Sequence, residues 1–343
     1  LVEGLMSGLL QVLSFLSSNT YFPRLQRAIG VGNVFEGWSS CEEDTYLLLV
    51  PMKPPRGHIF HVELGTNRVM PARNPHIRVE LKCMCTQEQQ DGDTQCILHC
   101  ENELSRRENP SLLHTLCTGN CLDAQKTASW FQQLVTEAWV GMPQSGVYDL
   151  MLLPSSRTCK LQLTNTSSTE KLFIEVLFGV QQDNTDIFLC SQNTEATLSP
   201  STTWPQSCAV AEKKLFEYPA RNAMQNSSHQ NCLHIFSRIL VGTGFPTYVI
   251  KTVVMHLLTT IPLENWHRRF CLYRLDDILS YLRSCLEEKC LNHYFLGNKM
   301  VPDDIVLPQA FRSASPLNLF QHLEQDPNAH SQALKEFREL RER

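Results

Sequence analysis

GVGNVFEGWSSCEEDTYLLLVP, residues 30–51, decides how the rest of the chain is read. It opens with Gly30 and Gly32 in a tight turn, crosses a polar segment, and ends in the apolar run Tyr46–Val50. Just before that run stand Glu42, Glu43 and Asp44. A glycine turn lets backbone N–H groups approach a phosphate closely. Carboxylates two apart at the start of a strand point to one face. Glu42 and Asp44 therefore fit the role of holding a hard cation such as Mg²⁺ between protein and nucleotide. The same pattern also fits a plain loop leading into a solvated strand start, because acidic residues beside turns are common.

Working outward, residues 1–29 read as helix. Leu5, Leu9, Leu13 and Leu16 recur at helical steps, a break follows at Ser17–Thr20, and a short helix continues through Leu25 and Ile29. The polar face has almost no Lys or Arg, which favours packing on a core over lying on a membrane. Downstream, Thr45–Val50, His58–Glu63, His76–Cys83 and Thr94–Leu98 read as strands. Cys83, Cys85, Cys96, His99 and Cys100 cluster here, but none has the two-residue spacing of a zinc knuckle.

Residues 101–141 read as helical, the second helix being Leu122–Val140. Val147–Leu153, Thr158–Thr164 and Lys171–Gln181 read as a three-strand meander. The third strand is apolar on both sides, as in a buried central strand, except at Glu175. An unpaired buried carboxylate is expensive, so Glu175 calls for a Lys or Arg partner or a metal. Residues 192–220 are rich in Ser, Thr and Pro around Leu198–Ser207 and read as a connection between lobes. The remainder reads as mainly helical, with helices at Phe245–Thr260, Arg269–Lys289, Pro316–Gln325 and Ala329–Arg341. Tyr248 and Lys251 lie one turn apart on one side of the first of these. A tyrosine and a lysine so spaced can stack a base and hold a phosphate; a core-edge tyrosine and a snorkelling lysine give the same pattern.

The chain has 343 residues, enough for two lobes with a substantial core. Its net charge is −5, from 30 basic and 35 acidic residues, which argues against the broad basic surface of a general nucleic-acid binder. The 14 cysteines lack the dense, even spacing of a small secreted scaffold and read as reduced, buried thiols. There is no run of 18 apolar residues and no basic region before Leu9–Leu16 to make a secretory signal. Two N-x-S/T sequons, at Asn165 and Asn226, carry weight only in an extracellular domain. The chain begins with Leu1 and reads as a fragment.

Taken together, these motifs resemble the male-abnormal-21 family, which shares the nucleotidyltransferase fold of cyclic GMP-AMP synthase. Gly32-Asn33-Val34-Phe35-Glu36 resembles its Gly-Ser-x-x-Glu turn, Glu42-x-Asp44 its paired acids, and Lys171–Val180 the strand with its third acid, Glu175. Thr247-Tyr248-x-x-Lys251-Thr252 is similar to the helix that contacts the nucleotide. Gly30-Val-Gly-x-x-Phe-Glu-Gly-Trp38, Pro110–Thr118, Leu240–Phe245 and Asn318–Leu323 narrow the likeness to the inositol 1,4,5-trisphosphate receptor-interacting proteins.

The resemblance implies an α+β, bilobal nucleotidyltransferase-like fold. A spine helix at 1–29 and a mixed-sheet lobe at 30–207 would precede a helical lobe at 208–343. It implies a single-pass membrane protein anchored outside this fragment, with this domain facing the cytoplasm. The expected partners are the membrane and a signalling receptor or channel, with no nucleic acid. The expected role is regulatory and non-catalytic, in calcium release or T-cell receptor signalling. The alternative is a metal-dependent nucleotidyltransferase making a second messenger. In that case Glu42, Asp44 and Glu175 would hold Mg²⁺ or Mn²⁺, and Gly32, Asn33, Tyr248 and Lys251 would hold the nucleotide. Asn33 departs from the family pattern: active relatives place there a serine that helps hold the phosphates, and a bulkier amide has different geometry.

Overall fold

The computed structural model describes residues 1–17, 21–39, 45–65, 72, 74–83, 111–168, 170–192, 199–222 and 227–342. Glu42, Asp44, the expected strand Thr94–Leu98, Cys85, Cys96, His99, Cys100 and the Asn226 sequon lie outside the described residues.

The helices that carry the argument are α1 (Val2–Leu16), α2 (Gly32–Glu36), α3 (Ala124–Trp139), α4 (Ala209–Arg221), α5 (His229–Ile239), α6 (Thr247–Thr260), α7 (Cys271–Glu287) and α8 (Pro327–Glu342). The strands are β1 (Arg24–Leu25), β2 (Ile29–Val31), β3 (Thr45–Lys53), β4 (His58–Glu63), β5 (His76–Leu81), β6 (Cys117–Thr118), β7 (Cys121–Leu122), β8 (Tyr148–Leu153), β9 (Cys159–Asn165), β10 (Lys171–Gln181), β11 (Phe188–Cys190) and β12 (Gln206–Ser207).

Contacts divide the chain into two units. The first comprises Leu1–Gly30, Thr45–Asn184 and Phe188–Ser207. Its main sheet runs β1-β3-β10-β11-β12, with β9 beside β10 and β8 beside β9. β3 and β10 pair in parallel from Phe173↔Thr45 to Gly179↔Pro51, which explains why both are apolar on both faces. Helix α1 buries Leu5, Met6, Leu9, Leu10 and Leu13, and α3 buries Trp130, Phe131, Val135 and Ala138. Phe131 meets Phe178 of β10 edge to face at 5.1 Å, so α3 seals one side of the central strand. Asp123 caps α3 by accepting the Gln125 and Lys126 N–H groups. A second sheet runs β4-β5-β7-β6.

The second unit comprises the described residues of Val31–Asp44, Thr185–Ile187 and Cys208–Arg343, and is helical. The α2 turn begins and ends on glycines in left-handed conformations, Gly32 at φ 79° and Gly37 at φ 80°. A Cβ on Gly37 would sit 2.6 Å from Gln230 Nε2, whose amide donates to the Glu36 carbonyl at 2.9 Å. Only glycine permits both the backbone angle and that approach.

Three sequence expectations need correction. The continuation of the first helix through Leu25 and Ile29 is instead two short strands. Arg24↔Lys53 and Leu25↔Met52 pair with β3, a distant partner that overrides local periodicity. The segment read as helical after residue 101 includes the β6–β7 hairpin, Cys117↔Leu122 and Thr118↔Cys121. The Ser/Thr/Pro-rich connection stops short, because Ala209–Arg221 is the helix α4 despite Pro219 near its end.

Candidate functional site

In the helical unit the centre of the site is Lys251. The period of α6 turns its side chain inward, where burial reaches 93%. Its Nζ donates to Glu36 Oε1 at 2.7 Å and to Glu212 Oε2 at 2.5 Å. Glu36 comes from α2, the turn that the glycines shape, and its Oε2 accepts the Trp38 indole N–H at 2.7 Å. Lys251 also lies over the Trp38 and Phe216 rings, 5.9 and 5.5 Å from their centres. Two carboxylates and one ammonium leave the cluster one negative charge in excess.

The electrostatics follow from that excess. Burial pushes the Glu36 carboxyl up, Lys251 pulls it down and Glu212 pushes it up again, leaving it raised. Burial alone would lower Lys251; Glu212 and then Glu36 outweigh it and hold the ammonium above its ordinary value. The network continues through Tyr248, whose hydroxyl lies 3.2 Å from His293 Nε2. His293 Nδ1 accepts the Phe295 N–H at 3.3 Å, so in the neutral ring Nε2 carries the proton and donates to Tyr248. Burial first, and the charge of Glu212 next, push the Tyr248 phenol well above its ordinary value. Tyr248 also lines a cavity of about 480 Å³ with Phe245, Phe320, Leu323 and Glu336.

Of the residues expected to hold a nucleotide, Tyr248 and Lys251 thus meet in one buried network. Lys251 is neither snorkelling nor open to a phosphate, since both its charge partners are internal. Gly32 shapes the α2 turn, and the side-chain Oδ1 of Asn33 accepts the Val34 N–H at 3.0 Å. Glu36 and Glu212 are the participants that residue-by-residue reading missed. Glu36 had a signal, as the acid that ends the Gly-x-x-x-Glu turn; Glu212 had none beyond its place on an amphipathic helix.

In the sheet unit, Glu175 lies at the centre of β10, paired in register with Leu47 of β3 and Lys160 of β9. Its side chain is 11% exposed. Oε1 accepts the Thr158 hydroxyl at 2.7 Å, and Oε2 lies 3.8 Å from Lys160 Nζ. Among the described residues no three His, Cys, Asp or Glu side chains converge as metal ligands. Among the described residues the cation beside Glu175 is therefore the Lys160 ammonium. Glu42 and Asp44 lie outside the described residues.

Residues 230–333, covering α6, α7 and the network residues Tyr248, Lys251 and His293, match the Mab-21 protein HhH/H2TH-like domain. Over 99% of its length the chain is 34% identical to inositol 1,4,5-trisphosphate receptor-interacting protein-like 1 of Rattus norvegicus. It is 35% identical over 99% of its length to the like-1 protein of Mus musculus. It is 30% identical, again over 99% of its length, to inositol 1,4,5-trisphosphate receptor-interacting protein of Takifugu rubripes, covering 67% of that relative.

The chain belongs to the inositol 1,4,5-trisphosphate receptor-interacting protein family. It spans 64% of the length of the two like-1 relatives. The nucleotidyltransferase-like, α+β character expected of the family is met by a mixed sheet in one unit and helices in the other. Among the described residues no helix is long and apolar enough to cross a membrane.

Proposed function

We propose that this chain is a non-catalytic regulatory domain of a membrane-associated receptor-interacting protein, acting through its surfaces on a signalling receptor. One observation carries the reading. The described side chains expected to serve a nucleotide or its metal are committed to internal partners: Lys251 to Glu36 and Glu212, and Glu175 to Thr158 and Lys160. Freeing Lys251 for a phosphate would leave two acids buried without their cation, a cost of several kcal/mol before any binding begins. The names of the relatives supply the partner class, a receptor for inositol 1,4,5-trisphosphate. The membrane anchor and a cytoplasmic orientation belong to the same proposal.

Calorimetry with ATP and GTP, in Mg²⁺ and then Mn²⁺, tests it on the purified chain. The expected result is no saturable binding at millimolar nucleotide. Metal-dependent binding that an Asp44→Ala, Glu175→Ala double variant loses would replace this reading with that of a working nucleotidyltransferase. Co-precipitation of the full-length protein with the receptor, and carbonate extraction of membranes containing it, test the partner and the anchor.

A further inference from the structure

Within the sheet unit, a pocket of about 730 Å³ opens where the end of α1 meets β1 and the β3–β4 turn. Its size falls in the range of small-molecule sites. Arg24, Arg56, Lys82 and His58 line it together with Ser14 and Ser17, and among the described residues no carboxylate does. The strand pairing explains the missing acids. His58 shares its face of the second sheet with Phe60, Val62, Val79 and Leu81. Glu63, Arg78, Glu80 and His61 fall on the opposite face, where they pair with one another. Arg24 spends its Nε on the Pro54 carbonyl, and among the described residues none of Arg24, Arg56 and Lys82 has an acidic partner.

The second observation is His58 itself. It is 95% buried, and its Nδ1 donates to the Arg56 carbonyl at 3.0 Å. The neutral ring therefore leaves a bare Nε2 lone pair sealed inside the protein, and among the described residues that atom has no hydrogen-bond partner. The Tyr21 ring centre lies 6.2 Å from that of His58.

We propose that this pocket binds a small phosphate-bearing ligand. Arg24, Arg56 and Lys82 neutralise the phosphate. His58 lies in the wall, where its Nδ1–H holds the carbonyl of Arg56. Three cations in a concave site with no acid among the described residues match the double charge of a phosphate better than a single carboxylate.

The probes are inorganic pyrophosphate and glycerol 3-phosphate, titrated by calorimetry into the purified chain, and phosphatidylcholine vesicles carrying phosphatidic acid. Arg56→Glu with Lys82→Glu alters only exposed side chains and leaves the fold intact. We expect saturable binding that this double variant weakens at least roughly tenfold. Binding of the soluble probes marks a free metabolite as the source of the phosphate. Binding confined to vesicles, and lost in the double variant, marks a lipid headgroup. No binding to any probe at millimolar phosphate, or binding that the charge reversal leaves unchanged, overturns the site.

Discussion

Two lysine–glutamate contacts in this molecule look alike in sequence and behave differently in physics. In the helical unit, Lys251 is shared between Glu36 and Glu212 at 2.7 and 2.5 Å, with side-chain exposures of 9%, 0% and 11%. In the sheet unit, Lys160 stands 3.8 Å from Glu175 and is 42% exposed. The first cluster has lost nearly all its water, so every charge depends on the others. The second keeps one partner in solvent, so the buried carboxylate rests chiefly on the Thr158 hydroxyl. A lysine–glutamate contact is structural when it is dry and incidental when it is wet.

The widest separation should come from applying one substitution to both lysines. Lys251→Met strands two acids in the core and should cost about 3–5 kcal/mol, read from urea unfolding. Glu36→Gln in the same cluster leaves one ammonium facing one carboxylate and keeps hydrogen-bonding atoms for Trp38 and Lys251. It should cost no more than about 1.5 kcal/mol. A Glu36→Gln loss as large as that of Lys251→Met would break the picture of a cluster with one surplus negative charge.

Acid is the next probe. Glu36 has a raised carboxyl, so its contribution is present below its unfolded value and is lost as pH rises through the folded one. The same sign applies to Lys251, whose contribution fades only far into alkali. Neither predicts acid sensitivity. His229 does. It is 97% buried, its Nε2–H donates to the Phe216 carbonyl at 3.0 Å, and burial lowers its pKa from 6.5 to about 4. Its contribution is present above pH 6.5 and is lost as pH falls toward about 4. The gap is worth roughly 3 kcal/mol. His229→Gln can keep the donor to Phe216 and should flatten the stability profile between these limits. A profile unchanged by His229→Gln would move the acid sensitivity elsewhere.

How much of this was legible in the sequence depended on how local the cause was. The limits of His58–Glu63 and Lys171–Gln181 agree with the reading because alternation and a continuous apolar run are local signals. Strand β1 was read as helix because its reason is a partner at Lys53 and Met52, not its own residues. The α4 helix was hidden by Pro219 and the Ser/Thr/Pro-rich segment before it. Lys251 was visible as an odd charge among apolar neighbours. Its partners stand 215 and 39 residues away, and no periodicity links them. Glu175 announced a need for a partner, and strand register, which places Lys160 opposite it, gave the answer.

A smaller effect should follow from cutting Glu175 back. Glu175→Ala leaves the buried Thr158 hydroxyl with only the Ser155 hydroxyl as its partner and should cost about 1 kcal/mol. Glu175→Gln keeps an oxygen for that hydroxyl and should cost less. Equal losses would mean that the charge, and so Lys160, matters more than the geometry indicates.

Lys160→Met should be the mildest change, because the ammonium it removes is half in water and 3.8 Å from its partner. The expected loss is below about 1 kcal/mol. The variant also puts the strongest demand on the non-catalytic reading. With the lysine gone, Glu175 keeps only a hydroxyl partner among the described residues, and a divalent ion would not compete with Lys160. If Mn²⁺ leaves the melting temperature of Lys160→Met where it was, the carboxylate serves the fold. If Mn²⁺ raises it, and fails to raise that of Lys160→Met combined with Glu175→Gln, the lysine is a plug in a cation site. The wet contact would then be the functional one, and the dry cluster around Lys251 a scaffold.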